Sequence, residues 1–235
     1  MFLLFCARGK HMRRGNFCRP SALSSDSYSF ALRPVLAALL LLVLSLPSLA
    51  TTKGLNQIVT PDIQPMGQIS ISLQVQNPVI GNSIETQIEA GFTQRFEMAL
   101  FLGLSPGDQI LNAEYGLSVK QPWLLSVGLN NWSRRGAYAQ PYIEAGYYKG
   151  RIHSMIGYIH ANNREEAIVG LGYQTMDNLM LQADFQSGEE NFSTVGFTYN
   201  LTPNLSFNPA VYISNDSSHD LYGYAVLTWS FTAFK

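Results

Sequence analysis

The chain has 235 residues, a formal net charge of −1 at pH 7, and 13% charged against 46% hydrophobic residues. Without a basic surplus it cannot neutralise a phosphate backbone, which argues against nucleic acid as a partner. Both cysteines, Cys6 and Cys18, lie in the first fifty residues, so the remainder offers no disulfide and no thiolate metal site.

Residues 1–50 read as an N-terminal lead-in and cleavable secretory signal. Arg33 precedes an unbroken apolar stretch from Val35 to Leu46, and Pro47-Ser48-Leu49-Ala50 presents the small residues a signal peptidase reads. A transmembrane anchor would need roughly 20 apolar residues, more than this core supplies. No cysteine follows Ala50, which argues against a lipoprotein anchor, and a start at Met12 would shorten the lead-in. Charge divides at the same point. After Ala50 the chain keeps nine basic and fifteen acidic residues, a net of −6, in a length suited to one domain.

Residues 51–67 contain Thr60-Pro61-Asp62 and Gln64-Pro65-Met66-Gly67 and predict an extended periplasmic linker, hanging free or folded into the mouth of a barrel. From 68 to 235 the pattern changes to strict alternation. Ile69, Ile71, Leu73 and Val75 point one way while Gln68, Ser70, Ser72, Gln74 and Gln76 point the other, the period of a strand with one apolar face. Twelve such runs are predicted, at 68–76, 83–92, 95–104, 109–119, 122–131, 140–148, 151–160, 164–174, 178–186, 191–200, 204–214 and 219–231. Most match the ~9–11 residues that a tilted strand needs to cross a bilayer.

The links between these runs alternate in length. Those at Gln94, Gln121, Lys149-Gly150, Met176-Asp177-Asn178 and Thr202-Pro203-Asn204 are tight, and the ones between them are longer or more polar. A weak repeat runs through the same hairpins. Glu89-Ala90-Gly91, Glu114-Tyr115-Gly116 and Glu144-Ala145-Gly146 share Glu-x-Gly before an apolar residue, and Gly172-Tyr173, Gly196-Phe197 and Gly223-Tyr224 continue its glycine–aromatic part. The last run places Leu227, Trp229 and Phe231 on one face shortly before the terminus. That parity conflicts with the repeat, which puts Tyr224 on the same outer face; a bulge would reconcile them.

Signal, strand pattern, turn asymmetry and closing strand together resemble bacterial outer-membrane β-barrel proteins of the porin-like class, over nearly the whole chain. The expected fold is therefore all-β: a closed antiparallel up-and-down transmembrane β-barrel of about twelve strands, over 68–235, in the cell outer membrane. The resemblance implies outer-membrane lipids and the barrel insertion machinery as partners, with small solutes as cargo. No cofactor, metal or catalytic residue is expected.

On the inward face the alternation places Glu85, Glu89, Glu97, Glu114, Glu144, Glu166 and Asp184, since a carboxylate facing lipid would be costly. As pore-lining residues they form an acidic wall that favours cations. The alternative is that they solvate a filled or narrow lumen, bonded to groups such as Tyr142, Tyr148 and Gln182. Inward glycines Gly91, Gly116, Gly128, Gly146, Gly170 and Gly196 leave room for a channel, or relieve strain where the wall bends. An outer loop with Trp132, Arg134, Arg135 and Tyr138 suits an interfacial aromatic belt with solvated charges, or phosphate capture. The histidines give no compelling nucleophile–base pair: Ser154 adjoins His153 on the opposite face, leaving only a spatial combination of His160, a serine and Glu166. The expected function is a narrow, cation-preferring pore for small solutes. A non-conducting structural or ligand-binding barrel, its lumen filled by side chains or by residues 51–67, is the alternative, and a lipid hydrolase is the third.

Overall fold

The computed structural model describes residues 54–105, 109–133, 139–161 and 163–234. The signal expected over 1–50 lies outside the described residues. Twelve strands succeed one another: β1 (Gln68–Gln76), β2 (Ile84–Gly91), β3 (Phe96–Ser105), β4 (Gln109–Lys120), β5 (Trp123–Ser133), β6 (Gln140–Lys149), β7 (Ile152–Ala161), β8 (Arg164–Met176), β9 (Leu179–Gln186), β10 (Phe192–Thr202), β11 (Leu205–Ser214) and β12 (Leu221–Thr232). Every boundary falls within two residues of its expected place. Each strand pairs antiparallel with its sequence neighbours, and β1 pairs with β12 from Gln68↔Thr232 to Gln76↔Tyr224 without a break. Closure leaves no edge strand with unpaired backbone groups.

Alternation sorts the two faces. Leu73, Val75, Ile156, Val169, Leu171, Leu181, Val195, Val211 and Leu227 are exposed on the outside, while Ser70, Ser72, Ser126, Thr194, Ser206, Asn208, Thr228 and Ser230 are buried inside. This inverts a water-soluble barrel and is the arrangement that a hydrocarbon solvent selects. Hydroxyls stitch the closing seam from within: Ser70 to Ser230 and Ser72 to Thr228, both at 2.8 Å. A spin label at Leu73 is accordingly expected to report a lipid-like collision environment and one at Gln74 an aqueous or protein-enclosed one. The opposite result would place β1 one residue out of register.

One end of the barrel is closed by short connections at 121–122, 150–151, 177–178 and 203–204, and by a slightly longer one at 92–95. Gly150 takes φ +60° in its turn, a conformation that glycine adopts without a Cβ penalty. The connections at the other end are mostly longer, with a two-residue exception between β7 and β8. At the turn end aromatic pairs form a girdle: Trp123 with Tyr147 at 4.6 Å and Trp229 with Phe231 at 4.7 Å between ring centroids. In the β11–β12 loop the Ser218 hydroxyl and amide donate to Asp216 and hold its carboxyl below the ordinary value.

Two expectations change. The conflict in β12 needs no bulge, because its pairing with both neighbours is continuous and Tyr224 points inward, its hydroxyl donating to Gln74 at 3.1 Å. Gly223-Tyr224 is thus out of phase with the glycine–aromatic repeat. The second change is larger: the segment expected as a periplasmic linker, hanging free or folded into the barrel mouth, runs inside the barrel over 54–67.

Candidate functional site

A polypeptide segment enclosed in a barrel must find partners for its own amides and carbonyls, because the strands around it have already paired theirs. Residues 54–67 find them in inward side chains. Asp184 Oδ2 accepts the backbone N–H of Asn56 at 2.6 Å and of Gln57 at 3.1 Å. Glu97 Oε2 accepts the amide of Gln64, and the Tyr212 hydroxyl donates to the Asn56 carbonyl. Side chains add Asn56 Nδ2 to Thr194 Oγ1 at 2.9 Å, Gln182 Nε2 to Asn56 Oδ1 at 2.8 Å, Tyr148 hydroxyl to Asp62 at 2.9 Å and Gln64 Nε2 to Ser70 Oγ at 2.6 Å. Leu55 and Ile58 supply the apolar contribution, packed with Tyr142, Met155, Ile159 and Ile168.

The glycines explain how the segment fits. A Cβ at Gly91 would stand 2.3 Å from the carbonyl oxygens of Gln64 and Pro65. At Gly116 it would approach Ile63 to 2.9 Å, at Gly146 Pro61 to 2.7 Å, at Gly170 Leu55 to 2.4 Å and at Gly196 Asn56 to 2.5 Å. Five of the six inward glycines therefore make space that the chain itself fills. Gly128 faces the Tyr142 ring instead. Their register shows why glutamate precedes glycine in the repeat. Gly91 lies across from Glu97 and then Glu114, and Gly116 across from Ser126 and then Glu144. Glu114-x-Gly116 and Glu144-x-Gly146 thus each keep a carboxylate beside the previous seat and open the next seat two residues along the strand. The segment crosses from β2 past β4, β6 and β8 to β10 and β11 in this way.

Above it, toward the longer loops, lies a cavity of about 450 Å³. Its lining includes Gly54–Val59, the loop residues Val79–Asn82 and Glu190–Asn191, and the amides Gln74, Gln76, Gln87, Asn112 and Asn130. All seven carboxylates expected inside are buried on the inner face, where they divide by task. Glu85, Glu89, Glu97 and Glu114 line the cavity, with Asn82 donating to Glu85 at 2.7 Å and Tyr142 to Glu114 at 2.9 Å. Glu144 sits beside Ser126 at 3.2 Å, and Glu166 takes Gln186 and Asn191 at 2.6 and 2.9 Å. Asp184, expected on an open acidic wall, instead grips the inserted segment.

Histidines do not assemble into a catalytic arrangement with Glu166. His160 lies outside, 2.9 Å from exposed Glu165, while Glu166 is inside on the next residue. His153 stacks on Tyr148 with centroids 4.4 Å apart. Trp132, expected in the outer loop, stands exposed near the end of β5, and Arg134, Arg135 and Tyr138 lie outside the described residues. Sequence reasoning missed Asn56, Asp62 and Gln64 as site residues. The signal that could have found them was the glycine set itself: five inward voids at hairpin spacing need an occupant.

No protein-family model and no curated protein matches this sequence. Solved structures do. A KdgM porin superposes with a TM-score of 0.53 at 11% identity, over 70% of this chain and 99% of that one. The KdgM porin in complex with disordered oligogalacturonate gives 0.53 at 10%, with the same two coverages. The NanC porin gives 0.50 at 10%, over 69% and 98%. The chain shares the fold of these porins.

Proposed function

We propose that this protein is an outer-membrane channel for small solutes, embedded in outer-membrane lipids with its turn end toward the periplasm. The observation that carries the reading is the closed twelve-strand barrel with a lipid-compatible exterior, a polar interior and a cavity of about 450 Å³ open among the loops. Export behind a cleaved signal fits the run from Arg33 to Ala50. Five glutamates in the lining, Glu190 among them, with no lysine or arginine among the described lining residues, favour cations over anions at the loop-end mouth. The KdgM porin is found in complex with oligogalacturonate, an acidic sugar chain, and the charge of the present lining disfavours a ligand of that kind. A second reading, a non-conducting ligand-binding barrel, is favoured by the segment seated in the lumen.

Planar-bilayer recording of the purified protein under a salt gradient separates the two. A channel is expected to show a reversal potential of cation-selective sign, shifted toward zero when Glu89, Glu97 and Glu114 are all changed to Gln. A properly inserted barrel that stays silent even after residues 54–65 are removed would leave the binding reading. A reversal potential indifferent to the three substitutions would discard the cation preference.

A further inference from the structure

The inserted segment is held by a kind of contact that any extended polypeptide could use. Asp184 and Glu97 take backbone amides, and Tyr212 gives its hydroxyl to a backbone carbonyl. Recognition through main-chain groups, with shallow positions for side chains between them, is how sheets bind peptide strands. Here the glycines at 91, 116, 146, 170 and 196 make the shallow positions.

Nothing in the twelve-strand ladder depends on this segment. Among the described residues its backbone ties to the strands sit at its end: Met66 bridges Gly91 in parallel, the Gly67 N–H donates to the Gly91 carbonyl at 2.8 Å, and the Gln68 N–H donates to the Pro65 carbonyl at 2.9 Å. Gly67, at φ +81°, is the joint between segment and β1. A rotation there would swing residues 54–66 away and leave every strand pair in place. The wall so uncovered carries Ser70, Gln182, Thr194, Thr198 and Asn208, groups that water satisfies readily. Leu55 and Ile58, with Val59 packed against the same cluster and Pro61 buried, lose an apolar surrounding on leaving.

We propose that residues 54–66 are a displaceable stopper, bound in cis in a groove built for extended polypeptide backbone. Its withdrawal opens the floor of the loop-end cavity toward the turn end. The inference rests on the reading of the barrel as a passage, since a stopper needs something to stop.

A reversible lock tests it in the full chain. With Cys6→Ser and Cys18→Ser no native thiol remains. Ile63→Cys and Gly116→Cys then offer a bridge, because a sulfur at the place of Ile63 Cγ1 would lie 2.9 Å from the Cβ position at Gly116. This is roughly the separation that an S–S bond of ~2.05 Å imposes between one sulfur and the opposite Cβ. Val119→Ala clears the Val119 methyl, 2.4 Å from that Cβ. The oxidised protein is expected to be silent in a planar bilayer, and reduction to raise its open probability at least about ten-fold. In the reduced, folded barrel a hydrophilic maleimide is expected to label the thiol introduced at position 63 much faster than the barrel unfolds, as local opening requires. Equal conductance in the two redox states, or labelling only at the unfolding rate, would overturn the stopper. Silence in both states with fast labelling would instead keep the displaceable segment and remove the passage.

Discussion

Asp184→Leu is expected to detach the middle of the inserted segment while the barrel stays closed. One oxygen of Asp184 takes the amides of Asn56 and Gln57, and the other takes the Thr194 hydroxyl at 2.8 Å. Leucine fills similar space and accepts nothing, so two enclosed N–H groups lose their acceptor. Hydrogen bonds to a charged group contribute about 1.5–3 kcal/mol each, which puts the cost of losing the two at roughly 3–6 kcal/mol. The strand ladder itself makes no use of the carboxylate, because β9 pairs with β8 and β10 through its backbone. The segment therefore loses its anchor and the barrel keeps its own. Thermolysin added to the detergent-solubilised protein is expected to cut before Ile58 or Val59 in the variant and to spare the wild type. Heat-modifiable gel migration, which reports the closed barrel, is expected to be unchanged. If the segment of the variant resists thermolysin as well as wild type, Asp184 is not its anchor. Asp184→Asn keeps one accepting oxygen and is expected to fall between.

The barrel was legible from sequence because its physics repeats. A strand crossing a bilayer must alternate, and Ile69–Val75 shows that alternation within seven residues. Closure was legible from the same source, since alternating strands in lipid have no other way to satisfy their edges. The carboxylates were placed inside by one energetic rule, the cost of charge facing lipid, and the rule held for all seven. What they do there was less legible. Asp184 and Glu89 look alike as inward acids, yet one grips a backbone and the other lines a cavity. The distinction depends on where residues 54–67 lie, and a Pro-containing stretch without alternation carries no such address. Tyr224 shows the same limit on a smaller scale. Its glycine–aromatic pairing mimicked the repeat, while the register with β1 and β11 set its true direction.

Gly91 offers the cleanest test that the glycines are a seat. The three atoms nearest to a Cβ at this position are the carbonyl oxygens of Gln64 and Pro65, each at 2.3 Å, and the Pro65 carbonyl carbon at 2.8 Å. All three belong to the backbone of the inserted segment. A single methyl therefore collides with the segment, and backbone atoms cannot rotate away as a side-chain tip would. Gly91→Ala is expected to cost about 1–3 kcal/mol of seating, the usual size of an overpacking penalty. Hydrogen exchange at the Gln64 amide, which is bonded to Glu97, should accelerate by about one to two orders of magnitude if seating and exchange are coupled. Gly223→Ala provides the control, because nothing lies within 4 Å of a Cβ there and the residue faces outward. Its exchange at Gln64 is expected to match wild type. Were Gly91→Ala equally silent, the inward glycines would be relieving wall curvature, and the fit of residues 54–67 against them would be incidental.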